Sequence, residues 1–372
     1  MKKIFILFSI FLGTILLTGC GKTDKTTLVN KMNKKINNCK GYQVEAELEL
    51  VNNEDSYKYD VVVSYKKKDK FRVSLMNKTN NHEQIILRND DGVYVLTPDL
   101  NKSFKFQSNW PYNNSQAYLL QSVIGDLKKD SKLKMKKIKN GYVFTSKVNY
   151  KNNANLTHQE VVTDKDLNVK SVTVYDNDEN ALIKVKYKSI DDNAKFKKNY
   201  FELEENMEMY SNNEENEEDT EVKTTTENET TGESKTTTEN ETTSESKTTT
   251  ENKTTSETMK LEEAIYPMYI PEGTYLDKEK QVSTDTGSRI ILTFSGDNPF
   301  MLVEQTATRE KEFEVIPTSG DIDMFSNGLA IVDTTSVNWT SDNVEYYLVS
   351  SSLSKTELLE VAKSVATMPV SK

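Results

Sequence analysis

Histidine, cysteine and tryptophan are the scarcest residues in this chain, two of each in 372. With His82, His158 and only one cysteine beyond Cys20, a zinc site or a cysteine–histidine nucleophile has almost no material to work with. Neither histidine has a second ligand at metal spacing. His82 falls between two strands and His158 at the start of another, and both read as exposed loop histidines. Glycine is sparse, and no phosphate-cradling loop or dinucleotide fingerprint appears. Spacing alone does not exclude a pair of catalytic carboxylates, which are distant in sequence in any case. Most acids, however, alternate onto the wet faces of strands, where nothing would raise a pKa. The expectation is a non-enzymatic protein with no metal or cofactor. A surplus of positive charge is missing as well: the formal net charge is -10, which argues against nucleic acid as a partner.

Long apolar runs are missing except at the start. Lys2 and Lys3 precede an apolar stretch from Ile4 to Leu17, the layout of a secretory signal and too short for a comfortable membrane span. The stretch ends in Leu17, Thr18, Gly19 and Cys20, which resembles the lipobox of bacterial lipoproteins. That resemblance implies cleavage between Gly19 and Cys20 and acylation of the Cys20 sulfur, with palmitate-type chains holding the protein at the extracytoplasmic face of the membrane. Two or three chains give stable attachment, since each buried methylene contributes roughly 0.8 kcal/mol. Removing residues 1–19 takes away two lysines and moves the charge from -10 to -12. Cys39 is then the one free thiol. It reads either as a small buried residue near a helix end or as half of an intermolecular bridge.

What is present divides the chain in two. Between Glu202 and Glu221 stand ten acidic residues and no basic one. A twelve-residue unit follows in three copies beginning at Lys223, Lys235 and Lys247, without leucine, isoleucine or any aromatic residue. Such a segment cannot bury enough apolar surface to offset its ordering entropy, so residues 211–260 are expected to be a disordered linker. About 50 flexible residues span on the order of 40 Å, and the flanking domains are expected to move nearly independently. The layout is a signal peptide over 1–19, a lipidated tether over 20–26, a domain over 27–210, the linker, and a small α+β domain over 261–372.

The first domain opens with Val29, Met32 and Ile36 at helical spacing. Strict two-residue alternation follows in Tyr42, Val44, Ala46, Leu48 and Leu50, then in Tyr57 to Tyr65 and Phe71 to Leu75, with shorter strands to Phe106. A helix is expected over Ser115–Leu127, then four more strands ending near Tyr187. An antiparallel meander of ten or eleven strands with an aromatic apolar face must roll up around its helices. This order of elements, with the opening Asn38-Cys39-Lys40-Gly41-Tyr42-Gln43-Val44-Glu45, resembles the LolA and LolB lipoprotein-handling proteins (the outer membrane lipoprotein-sorting class). The resemblance implies an α+β fold, a curved half-barrel sheet wrapped around helices. The aromatic face is either core or a cavity for acyl chains.

In the C-terminal domain Tyr269-Ile270-Pro271-Glu272-Gly273, a strand around Trp339 and a final helix capped by Ser354 with Glu357 resemble a small domain of YdcC-type sporulation lipoproteins, where it also follows a LolA-like domain. Sporulation and germination lipoproteins, GerS among them, are therefore the nearest functional relatives by resemblance. This implies a protein partner, with a cortex amidase as the candidate, in the space between the forespore membranes. A carrier or acceptor of acyl chains and a sensor acting on an anti-sigma factor are the alternatives, and a homodimer stays open. One charge feature stands out: Lys128, Lys129, Lys132, Lys134, Lys136, Lys137 and Lys139, with Asp130 the one acid among them. The cluster reads as a solvated loop, or as a surface for anionic lipid or an acidic partner.

Overall fold

The computed structural model describes residues 24–208 apart from 53–54, and 261–365 apart from 285–286 and 326–327. The signal sequence, Gly19, Cys20 and the whole of the linker, residues 211–260, lie outside the described residues. Helix α1 (Lys25–Asn38) starts at Asp24, whose carboxylate accepts from the Thr27 amide, and buries Leu28, Val29, Met32 and Ile36. Eleven strands follow: β1 (Gly41–Asn52), β2 (Asp55–Lys66), β3 (Lys70–Asn77), β4 (Glu83–Arg88), β5 (Val93–Thr97), β6 (Lys102–Phe106), β7 (Lys134–Ile138), β8 (Gly141–Lys147), β9 (His158–Asp164), β10 (Val169–Tyr175) and β11 (Ala181–Asp191). Helix α2 (Leu120–Lys129) stands between β6 and β7.

These strands form one curved antiparallel sheet, ordered β6-β5-β4-β3-β2-β1-β11-β10-β9-β8-β7. The alternation in β1 and β2 sends Tyr42, Val44, Ala46, Leu48, Tyr59, Val61 and Val63 inward, where they meet the buried faces of α1 and α2 in one core. The fold is α+β, as the order of elements and its resemblance implied. Strands β4 and β5 break that pattern, being buried on both faces. On their outer side Ile85, Leu87, Tyr94 and Leu96 are covered by Phe201, Leu203 and Met207, which return after β11. Arg72 pins this cover by donating to Asn206 Oδ1 at 2.6 Å and lying over the Tyr200 ring.

Two local expectations are corrected. Helix α2 begins at Leu120 rather than Ser115, because the preceding backbone is held by other bonds: the Ser115 amide donates to the Asn149 carbonyl and the Gln116 amide to Ser122 Oγ. Residues 134–138 are a strand rather than loop, paired with β8 from Lys134 opposite Thr145 to Ile138 opposite Gly141.

The C-terminal unit is a second sheet ordered β12-β13-β14-β19-β18-β17-β16. Its strands are β12 (Thr274–Thr284), β13 (Gly287–Gly296), β14 (Phe300–Thr306), β16 (Asp321–Phe325), β17 (Gly328–Val332), β18 (Ser336–Ser341) and β19 (Val344–Val349). Helix α3 (Lys355–Lys363) packs Leu358, Leu359, Val361 and Ala362 on one face of it, with the Ser354–Glu357 capping box formed.

The two units are joined, and near-independent movement is corrected. Strand β15 (Glu314–Thr318) leaves the second unit and pairs in parallel with β6, from Glu314 opposite Lys102 to Thr318 opposite Phe106, making the first sheet twelve-stranded. Pro317 is tolerated there because β15 is an edge strand. Lys102 Nζ meets Glu345 Oε1 of β19 at 2.7 Å with both side chains nearly buried. The Leu329 amide donates to Gln84 Oε1 at 2.6 Å, and Ile322, Leu329 and Ile331 of β16 and β17 belong to the first unit's core. A long linker permits independence but does not impose it, since an apolar hairpin that finds an apolar mouth buries both.

Candidate functional site

Three features offer themselves as a site. The first is the concave mouth of the first sheet. Hairpin β16–β17 closes over it and leaves a cavity of about 180 Å³ between the units, lined among others by Leu48, Leu50, Trp110, Tyr118, Leu182 and Met324. Lys363 and Asp323 pair at its rim at 3.4 Å, with the ammonium 5.3 Å from the centre of the Phe325 ring. Burial, and secondarily the Asp323 charge, hold the Tyr118 hydroxyl well above the usual phenol range. Tyr187 donates to the Ala117 carbonyl at 2.9 Å. These are uncharged, hydrogen-bonded phenols, and the carboxylate near Tyr118, Asp323, is paired with Lys363. For scale, an engineered apolar cavity of about 150 Å³ takes up benzene, and pockets for drug-sized ligands run from about 300 Å³ upward.

The second feature is the outward face of the second sheet, opposite α3. Met301 and Val349 lie opposite each other, as do Val303 and Tyr347. Met301, Tyr347 and Val349 are each more than one-third exposed, although they sit in the middle of a seven-stranded sheet. Tyr275 of β12, 60% exposed, adds apolar surface at the sheet edge, whereas Met268, 84% exposed, lies on the α3 side, its amide donating to the Ser364 carbonyl.

The third is the lysine cluster. The structure places Lys128 and Lys129 in the last turn of α2, Lys132 in the following turn, Lys134, Lys136 and Lys137 on β7, and Lys139 in the turn to β8. Strand β7 is an edge of the sheet, where charged side chains discourage pairing with another chain. Asp130 is committed to the backbone, accepting from the amides of Lys132 at 2.7 Å and Lys147 at 2.9 Å.

The remaining candidates carry no chemistry of this kind. Cys39 caps α1 and is half-buried, its thiol donating to the Gly41 carbonyl at 3.0 Å. Burial is the main cause that pushes its pKa up, which leaves it poorly nucleophilic. The histidines are not exposed loop residues: each side chain is only 22% exposed, His82 Nδ1 lies 2.6 Å from Asp99 and His158 Nε2 3.4 Å from Glu179. Among the described residues no group of three or more His, Cys, Asp or Glu is placed to hold a metal ion.

Not every acid sits on a wet face, which corrects the expectation from alternation. Glu304 occupies an inward position of β14, fully buried, and accepts from the Ile265 amide. Burial pushes its carboxyl up to about 7. Asp126, held by Ser115 Oγ at 2.8 Å, is raised to about 6 by burial. The alternation of β14 itself, Phe300, Leu302, Glu304, marks Glu304 as inward. No sequence signal, by contrast, links Lys102 to Glu345 or brings β16 and β17 to the mouth.

Residues 1–201 match the family model described as sporulation protein YdcC-like. Sporulation protein YdcC of Bacillus subtilis (strain 168) is 31% identical over 365 residues, 98% of this chain and 97% of that protein. Among solved structures, a chain from the complex of the CwlD amidase of Clostridioides difficile with the GerS lipoprotein is 20% identical, covering 48% of this chain and 98% of its own length, with a TM-score of 0.28. A chain from the Pseudomonas aeruginosa MucA/MucB complex is 10% identical, covering 94% and 100%, with a TM-score of 0.30. A LolA superfamily protein from Nitrosomonas europaea is 10% identical, covering 48% and 97%, with a TM-score of 0.28.

Proposed function

The chain belongs to the YdcC-like family of sporulation proteins, and from that premise we propose that it is a lipid-anchored, extracytoplasmic, non-enzymatic protein that binds a partner protein during spore formation. The anchor is Cys20 after cleavage at Gly19, on the strength of the charged start, the apolar length and the lipobox-like ending together. A cortex amidase in the space between the forespore membranes is the candidate partner that the sequence resemblance implies.

The observation that carries this reading is the contrast between the two apolar surfaces. The mouth of the half-barrel is filled from inside by α1 and α2 and covered by β16–β17, leaving room for a benzene-sized group rather than several acyl chains. The face bearing Met301, Tyr347 and Val349 is covered on the side where Glu345 meets Lys102, yet leaves these three each more than one-third exposed. Exposed apolar patches of this kind on a folded protein mark interaction surfaces, and tyrosine and methionine are enriched in protein interfaces. An acyl-chain carrier has the reverse requirement, an open cavity and no need of an outward apolar face.

The test is photo-crosslinking in sporulating cells from a reactive group at position 347, with mass-spectrometric identification of what is captured. A defined protein, lost when Met301→Glu is introduced, is the expected result. Capture of lipid alone, or of nothing, overturns the reading.

A further inference from the structure

We infer that the lysine-rich flank formed by α1, the end of α2 and β7 is the surface on which the protein rests against anionic phospholipid headgroups; this rests on the acylation of Cys20 proposed above. Four residue steps separate Cys20 from Asp24, where α1 is capped, and at about 3.3–3.6 Å per residue they reach at most about 14 Å. Whatever surrounds the start of α1 therefore lies close to the membrane. What surrounds it is the start of the lysine cluster: Lys25 Nζ donates to the carbonyl of Leu133, and Leu28 and Leu133 share the core. From Leu133 strand β7 runs away along the sheet edge with Lys134 and Lys136 exposed. Lys31 and Lys34 of α1 are exposed as well, and α1 has no acidic residue.

The lysines at the end of α2 and on β7 are not spent on ion pairs among the described residues, whereas Lys35 of α1 pairs with Asp192. Ion pairs of the first unit's lysines and arginines fall on Lys35, Lys70, Arg72, Lys78, Lys102, Lys170, Lys184 and Lys188. Among the described residues none includes Lys31, Lys34 or a lysine between 128 and 139. Of the nearby acids, Asp130 is held by two backbone amides and Asp126 accepts from Ser115 Oγ, and neither forms an ion pair with a lysine of the cluster among the described residues. The molecule without residues 1–19 is acidic, at -12, so an anionic surface repels most of it and attracts this flank. Each lysine held near such a surface strengthens attachment by about 1 kcal/mol, about fivefold, within a Debye length. The lipid would hold the protein to the membrane, and the lysines would set which side faces down.

The experiment uses the mature chain, residues 20–372, with Cys20→Ser, so that neither the apolar stretch Ile4–Leu17 nor an acyl chain contributes, and measures its partition onto phosphatidylcholine vesicles with and without phosphatidylglycerol. Binding only to the phosphatidylglycerol vesicles, weakened by salt, is expected. The triple variant K132E/K134E/K136E should lose about fivefold or more per residue, while the corresponding arginine variant retains binding. Reversal of Lys195, Lys197 and Lys198, exposed elsewhere, should change little. Melting curves check that each variant is folded. Absence of binding, equal binding to neutral vesicles, or an unaffected triple variant overturns the inference, the last leaving the flank to an acidic protein. The anchor itself is judged separately, by the mass of Cys20 in the unmutated chain extracted from membranes, so either idea can fall without the other.

Discussion

Glu304 shows what one inward carboxyl does to the molecule's response to acid. In the unfolded chain it ionises near 4.5, and in the folded protein it keeps its proton up to about 7. Between these values the native state binds more protons, so its contribution to stability is greatest at low pH, declines as pH rises through the window, and levels off above it. Asp126 acts in the same sense between 3.8 and about 6. Thermal unfolding of Glu304→Gln followed against pH should show a flatter dependence between about 4.5 and 7, because the amide still accepts from Ile265 but no longer titrates. An unchanged slope would show that Glu304 is ionised in the fold. The residue was legible in the sequence as an inward position. Its titration was not, because the cover over β14 comes from α3 and from residues near Leu261 and Ile265, far along the chain.

At the scale of elements, the reading from sequence was most complete where the period was cleanest. Tyr42 to Leu50 and Tyr57 to Tyr65 specify both strand and facing, and a one-residue slip would have turned every one of these side chains outward. It failed where strands are short or lack the period. Strand β17, Gly328–Val332, is buried at all five positions, and β15 contains a proline. Strand β7 was hidden because lysines at both outward and inward-adjacent positions mask its alternation. Those lysines also keep the edge from pairing. Replacing Lys134 and Lys136 with threonine, a good strand former without charge, should produce concentration-dependent association in size-exclusion chromatography, whereas glutamate at both positions should leave a monomer. Association of the glutamate form, or none with threonine, would remove the edge-guarding role.

For the whole molecule, the decisive contacts are those between units. Lys102 is 9% exposed and Glu345 5%, so removing one partner strands the other. Lys102→Met should destabilise the protein by about 3–5 kcal/mol in urea unfolding, while Lys102→Met combined with Glu345→Leu should regain much of the loss. A double variant no better than the single one would mean that Glu345 draws its support from elsewhere, Tyr347 being its other hydrogen-bonding neighbour. No property of residues 102 and 345 taken singly announces the pair, since each reads as an ordinary charged residue on a strand.

Strand β15 beside β6, with Lys102 and Gln84 reaching across, places the C-terminal unit through contacts among the described residues. Doubling a flexible connection adds only about 0.6 kcal/mol of closure entropy. Copies of the twelve-residue unit could then be gained or lost with little effect on assembly, and the repeat number becomes a neutral variable rather than a ruler between the two halves.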